Sequence, residues 1–387
     1  MSFNINTNYP SIAHLQQRSA ERMPKFAYEY LTEGCNEDLN VKKNTTDIHQ
    51  IELMPNYLAR YEKASLKKTL FGHEYDAPIG ICPIGLQSLM WPGTAEILAK
   101  TSVEHNIPFT LSTVTTLSIE NAAKITDGKF WFQLYHPAER KITDDLLKRA
   151  ADNGCQVLVL VADVPTFGYR PKDIYNGLGM PPRLMFRNIL SMLKHPKWLR
   201  ETLKHGRPAF KTMEKYMPKD MDMKQLGVFM DKMYSGRLNE DKIKYIQDNW
   251  QGKIVLKGIA SCADVERVVN LGIDGIIVSN HGGRQLDAGP SSIKTLPPIV
   301  EKYKGRLEIM MDGGMRTGPD IARVLASGAD FAFLGRPFMY GTGALGKKGG
   351  HQVASILKRE LQQVMEQIGC ERLGDLPNHL IKDEIKK

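Results

Sequence analysis

Eight short apolar runs recur along the chain: PIGIC (78–82), FTLS (109–112), FWFQL (130–134), VLVLVAD (157–163), KIVLK (253–257), GIIVSN (275–280), LEIMMD (307–312) and FAFLG (331–335). Several are almost uninterrupted in apolar character. A strand buried on both faces reads this way, and such strands belong to parallel sheets. Helical spacing fills the gaps, as in TAEILAKTSVEHN, ITDDLLKRAADNG, ADVERVVNLG and GPDIARVLASG. The last three stop at Gly or Asn-Gly, where helices commonly end. Eight strands alternating with helices predict an α/β chain folded as a (β/α)8 TIM barrel.

A length of 387 residues suits one such barrel with additions. The expectation is a single domain over 1–387, with the barrel formed by 78–176 and 237–387. Residues 1–77 read as helices and connecting segments packed before the first strand. Residues 177–236 read as a long insertion after the fourth strand, and loops of that length are usually functional or mobile.

The five cysteines, Cys35, Cys82, Cys155, Cys262 and Cys370, are odd in number and scattered. No CxxC or Cys/His spacing accompanies them, so neither a disulfide framework nor a zinc site is expected. The first residues lack the apolar core of a signal peptide, and no run approaches a membrane span. These features predict a cytoplasmic chain.

In a barrel of this kind, the chemistry sits at the C-terminal ends of the strands. Gln133, Asp163, Lys257, His281, Asp312 and Arg336 all fall there. One polar residue at a strand end carries little information; six together shift the reading toward a site. The sixth run opens into SNHGGRQLD, which sets His281 and Arg284 three residues apart around Gly282 and Gly283. A neutral imidazole is a general base near neutral pH, and a guanidinium fork matches a carboxylate. The pair suits an acid substrate deprotonated close to its carboxylate. Asp163 is placed to orient the imidazole and favour its protonated form. Lys257 leaves an apolar strand and needs an anion to meet. DGGMRTG (312–318) and GRP (335–337) combine glycines, arginines and helix starts after the last two strands, the makings of a phosphate cradle.

Taken together, these segments resemble the FMN-dependent L-2-hydroxy acid dehydrogenase and oxidase family, over nearly the whole chain. SNHGGRQLD corresponds to that family's active-site signature, and WFQLY, ADVP, VLKG, DGGMR and LGRP match in order and spacing. The resemblance implies FMN as cofactor. It implies His281 as catalytic base with Asp163 as its partner, and Arg284, Arg170 and Tyr30 as the carboxylate clamp. Tyr135 would stand near the substrate hydroxyl. Lys257 would balance charge on the reduced flavin. Pro83, Ile84, Gly85, Ser112, Gln133 and Ser279 would contact the flavin, and Asp312, Gly314, Arg316, Gly335 and Arg336 the ribityl chain and phosphate.

The chain also departs from the family pattern. Val161 stands where a threonine near the flavin is usual, and Phe167 where an aliphatic residue is usual. Val114 replaces the tryptophan of the glycolate oxidases, which leaves room for a substrate side chain. FTLSTV is similar to the bacterial L-lactate dehydrogenase branch. The implied reaction is oxidation of an L-2-hydroxy acid, foremost L-lactate, to the 2-oxo acid. Both a hydride and a carbanion path are compatible with it. Alternatives are a peroxide-producing oxidase, a dehydrogenase of mandelate or another larger acid, and an idle flavin-binding protein. The idle reading has no use for a base.

Charge is concentrated in one stretch. Residues 178–225 hold eleven Lys/Arg and four Asp/Glu, so they carry +7 of the chain's net +9. The same stretch holds seven of the eighteen methionines, with apolar residues at helical spacing in RLMFRNILSMLK. Such a composition suits an interfacial segment lying on anionic lipid. It equally suits a lid over the barrel or a subunit contact. No nucleic-acid motif accompanies the charge. The membrane reading places the protein peripherally on the inner face of the cell membrane, passing electrons to a quinone. It treats the insertion as separable from the catalytic barrel. The resemblance further implies a homotetramer.

Overall fold

The computed structural model describes residues 5–179, 182–218 and 236–381. Strands are numbered in chain order. β1 (Lys68–Leu70) and β2 (His73–Tyr75) form a hairpin, and eight further strands form one parallel sheet. These are β3 (Ile79–Ile81), β4 (Thr110–Ser112), β5 (Trp131–Leu134), β6 (Val157–Val161), β7 (Lys253–Ile259), β8 (Gly275–Val278), β9 (Glu308–Asp312) and β10 (Phe331–Leu334). Their order, β3-β10-β9-β8-β7-β6-β5-β4, leaves β3 and β4 at the two ends. A parallel bridge from Ile81 to Phe109 joins those ends, so the ring closes into the expected (β/α)8 barrel.

The eight apolar runs become the eight barrel strands because each is covered on both faces. Trp131, Val159, Val255, Ile277, Met310 and Phe333 fill the barrel interior. Leu111, Leu158, Leu256, Ile276 and Ile309 face outward into a second apolar layer under the helices. The helix Thr94–His105 follows β3, and the long helix Gly349–Ile368 closes the chain's circuit beside it.

The N-terminal extension differs from its expectation at one point. Residues 68–75 form a hairpin rather than a helix or plain connector. Its two-residue turn places Phe71 and Gly72 at φ 50° and 80°, a twist that suits tight hairpins. Phe71 is an uncommon residue for such a position, and no Asn-Gly or Asp-Gly pair announces the turn. The hairpin plugs the bottom of the barrel. Phe71 packs on Trp131 and Tyr75 on Phe331, each with ring centroids 5.7 Å apart.

At the opposite end, a bulge in β7 separates Lys257 from Ile259. Gly258, at φ +92°, occupies it, and a Cβ there would lie 2.5 Å from Asp163 Cγ. Only glycine lets the Asp163 carboxylate lie this close to the β7 backbone. The strand irregularity therefore sets the position of a candidate site residue.

Candidate active site

The end of β8 leads into a sharp turn in which His281, Gly282 and Gly283 all have positive φ (58°, 64° and 80°). For a histidine this conformation costs on the order of 1–2 kcal/mol. Local contacts hold it. The His281 N–H donates to Ser279 Oγ at 3.0 Å, and the Gly283 N–H donates to Asn280 Oδ1 at 3.2 Å. Asn280 is in turn fixed by Asn44 of the N-terminal helix Leu39–His49, through two amide contacts of 2.8 Å. The N-terminal extension thus braces the turn that carries the histidine.

His281 Nδ1 lies 3.0 Å from Asp163 Oδ1. The contact occupies Nδ1 and leaves Nε2 as the nitrogen available to the cavity that His281 lines. Burial pushes the imidazole below its ordinary value of 6.5; Asp163 pulls the other way, and Lys257 adds to the lowering. The carboxylate does favour the imidazolium, as expected from sequence, but burial outweighs it and the resting ring is neutral near pH 7. Burial opposes the charge on Asp163 too, yet His281 and Lys257 hold its carboxyl below the usual range.

Lys257 is 3 % exposed. Its ammonium lies 3.2 Å from Asp312 Oδ2 and donates to Ser279 Oγ at 3.0 Å. Burial alone would lower its pKa; the Asp312 and Asp163 carboxylates reverse that and hold it raised. Burial pushes Tyr135 up to about 12, so its hydroxyl stays protonated.

Four guanidinium groups gather on this side of the barrel. Arg284 donates to the carbonyls of Tyr30 and Glu33 at 2.8 and 2.6 Å and lies 5.0 Å from the Tyr30 ring centroid. Burial, then the neighbouring Arg170, brings its pKa down to about 10. Arg336 begins the helix after β10 and donates to the carbonyls of Leu31, Gly282 and Glu33. Burial, then nearby Arg316, brings it down to about 9. Each pair, Arg284 with Arg170 and Arg336 with Arg316, concentrates positive charge where an anion would relieve it.

These groups line one cavity of about 240 Å³. Of the residues expected from sequence, Tyr30, Pro83, Ile84, Gly85, Val114, Tyr135, Arg170, Lys257, His281, Arg284, Asp312, Gly314, Arg316, Gly335 and Arg336 reach its wall. Asp163, Ser112, Gln133 and Ser279 stand one layer behind. Ser112 donates to Gln133 Oε1 at 2.8 Å, for example. Val161 is buried at the end of β6 and does not reach the wall, whereas Phe167 does. Met90, Phe210 and Met339 also line the cavity and were not anticipated. They are apolar residues far apart in sequence, and no spacing signals them.

Phe210 belongs to the basic insertion, and this corrects the view of that insertion as separable. Trp198 is buried and donates from Nε1 to the Met90 carbonyl at 2.9 Å. The Thr212 hydroxyl donates to the Leu117 carbonyl, and Arg149 donates to that of Thr212. Trp198, Phe210, Thr212 and Met213 are therefore packed against the barrel, with Phe210 at the cavity wall, while residues 203–207 between them are exposed. The preceding helix, Phe186–Leu193, behaves differently: Phe186, Leu190 and Leu193 are 73, 46 and 63 % exposed, on one face at i, i+4 and i+7. Residues 180–181 and 219–225 of the basic stretch lie outside the described residues. No helix among those described is long and apolar enough to cross a membrane.

Comparison with known proteins gives the fold and site a family. The FMN-dependent dehydrogenase family matches residues 19–383. An (S)-mandelate dehydrogenase of Pseudomonas putida is 32 % identical over 98 % of this chain and 95 % of its own length. An L-lactate dehydrogenase of Ectopseudomonas mendocina (strain ymp) is 32 % identical over 99 % of this chain and all of its own. Among solved structures, the monotopic membrane protein (S)-mandelate dehydrogenase superposes with a TM-score of 0.91, at 32 % identity over 97 % of this chain and 100 % of that one. A mandelate oxidase superposes with a TM-score of 0.83, at 27 % identity over 96 and 98 %. The chain belongs to the FMN-dependent dehydrogenase family and is a flavin-dependent oxidoreductase.

Proposed function

We propose that this protein oxidises a small L-2-hydroxy acid, with L-lactate the first candidate, to the corresponding 2-oxo acid, from a peripheral position on a membrane. The observation that carries the reading is a neutral, half-buried His281 held by Asp163 in the same cavity as two neighbouring guanidinium groups, Arg284 and Arg170, with the Asp173 carboxylate 3.7 Å from Arg170. A base beside paired guanidinium groups suits an acid substrate whose proton is removed near its carboxylate.

The residues present fit FMN. Asp312 lines the cavity and its Oδ1 is a buried polar atom with no protein partner, and a ribityl chain offers complementary groups. Arg336 and Arg316 repel one another at a helix start, where a phosphate would neutralise both. Lys257 would lie toward the ring and Asp312 toward the ribityl chain. FMN, when bound, supplies the two-electron acceptor.

The protein's own part follows from its geometry. Arg284 and Arg170, with Tyr30 alongside, take the carboxylate and fix the orientation of the α-carbon. His281 Nε2 accepts the substrate proton, since Nδ1 is engaged by Asp163. The resulting imidazolium is stabilised by that carboxylate, whose influence already favours the charged ring. Tyr135 keeps its proton and offers a hydrogen bond to the substrate oxygen. Lys257 holds positive charge in the same cavity without solvent screening.

A second reading of the substrate has its own support. Val114, Phe167, Phe210 and Met90 give the cavity an apolar wall that would hold an aromatic or branched side chain, as mandelate-like acids carry. For the membrane, the exposed apolar face of Phe186–Leu193 is flanked by Arg183, Arg187, Lys194 and Lys197, a pattern that suits anionic lipid. Contact there, on the cytoplasmic face, would bring the cavity mouth near a membrane quinone as electron acceptor. A homotetramer is the assembly proposed from the resemblance. Anaerobic flavin bleaching against a panel of L-2-hydroxy acids tests the substrate. Rapid bleaching by lactate supports the first reading, bleaching only by aromatic acids supports the second, and none by either refutes both.

A further inference from the structure

On the outer surface of the barrel, away from the cavity, the last turn of the helix Thr94–His105 meets the first turn of the helix Gly349–Ile368. The helices touch so closely that a Cβ on Gly350 would lie 2.0 Å from Thr101 Oγ1. At this junction Glu104, His105 and His351 bring one ligand atom each within 4.8 Å of the others. His105 Nε2 lies 3.1 Å from His351 Nδ1, and Glu104 Oε1 lies 2.6 Å from the same Nδ1.

Too few protons are available for these contacts. His351 Nε2 faces Ser355 Oγ at 3.5 Å. If that nitrogen carries the hydrogen of a neutral ring, Nδ1 presents a lone pair to the Glu104 carboxylate, two acceptors in contact. If Nδ1 carries it, one hydrogen must serve both Glu104 and His105 Nε2. Lys358 does not serve as the missing cation, since its ammonium is turned to Asp76 at 3.8 Å.

We propose that Glu104, His105 and His351 form a binding site for a divalent transition metal of the zinc class, clipping the first outer helix of the barrel to the last. Two imidazole nitrogens and one carboxylate oxygen are zinc-type donors, with a fourth position left for water. Tetrahedral coordination at ~2.0–2.1 Å requires ligand nitrogens roughly 3.3 Å apart, close to the separation present here. His105 is 8 % exposed and pre-positioned, whereas Glu104, with its side chain 55 % exposed, is free to adjust. Ser355 would fix the tautomer of His351, as partners of ligand histidines commonly do. The histidines are 246 positions apart, so the clip closes most of the chain.

The test uses the full FMN-loaded protein without a polyhistidine tag, stripped with chelator and titrated with zinc chloride at pH 7.5 by calorimetry. One equivalent should bind. His105→Gln and His351→Gln should each weaken binding at least about tenfold, and Glu104→Ala, a change on an exposed side chain, at least about threefold. At a hundredfold excess over Kd, zinc should raise Tm by roughly 3–5 °C in the parent and not in the histidine variants. Absence of saturable binding would overturn the proposal. So would affinity unchanged in Glu104→Ala, or in the histidine variants, which would assign the binding to adventitious surface groups.

Discussion

Phe186, Leu190 and Leu193 lie on one exposed face of a short helix among basic residues, and replacing all three with serine tests their proposed membrane role. Full burial of such a side chain is worth ~1.5–3 kcal/mol. Scaling by exposures of 73, 46 and 63 % gives roughly 3–5 kcal/mol for complete transfer from water. An interfacial helix buries only part of that area, so about half, ~1.5–3 kcal/mol, is the working figure. That corresponds to roughly a ten- to hundredfold loss of vesicle affinity. The helix itself should survive, because Asn188 anchors it to the Asn176 carbonyl at 2.7 Å and Trp198 holds the segment after it. Co-sedimentation with anionic vesicles at low and high salt measures the effect, alongside substrate oxidation with a small soluble acceptor. The expected result is lost sedimentation with soluble-acceptor kinetics intact, and parent binding that weakens with salt. Equal sedimentation of parent and variant would rule out a membrane role for this helix face, as would a parent that stays in the supernatant at low salt.

Arg284→Lys should raise KM and lower kcat/KM by at least about tenfold, because an ammonium does not reproduce the guanidinium fork; steady-state kinetics check this. Asp163→Asn should lower the rate of flavin reduction by about a hundredfold or more, since the imidazolium loses its counter-charge. The pH profile of the parent should rise through a value below 6.5 and level off before neutrality, because burial disfavours charged His281. In Asp163→Asn that limb should move further toward acid, the raising influence of the carboxylate having been removed. His136 is brought down to about 4 by burial, then by Lys242. Unfolding returns it toward 6.5, so its contribution to stability is full above that pH and falls as pH drops toward 4. Urea midpoints at pH 7 and pH 5 should therefore differ, and His136→Gln should shrink the difference.

The barrel was legible because its eight strands are buried on both faces, and double burial leaves continuous apolar runs in the sequence. The hairpin over residues 68–75 was not legible, since three-residue strands show no periodicity and Phe71-Gly72 is not a familiar turn pair. In the site, His281, Lys257, Asp312 and Arg336 could be placed from sequence because each ends a barrel strand or directly follows one. Met90 and Phe210 could not, because only the tertiary docking of the insertion brings them to the cavity wall. Asp163 and His281 lie 118 positions apart, and the strand order made their meeting predictable. The net effect on His281 was not predictable, because it depends on how completely the ring is desolvated. The basic insertion looked like one unit in composition, yet the apolar face of its Phe186–Leu193 helix points outward while Trp198, Phe210 and Met213 pack inward.

In the proposed reaction His281 Nε2 is the base that deprotonates a hydroxy acid held by Arg284 and Arg170. The most direct measurement is anaerobic stopped-flow reduction of the bound flavin in His281→Ala, with L-lactate and L-mandelate, after confirming the flavin content of the variant. The flavin should be retained, and its reduction should slow at least about a hundredfold with whichever acid reduces the parent. Reduction at the parent rate in flavin-loaded His281→Ala would contradict that role.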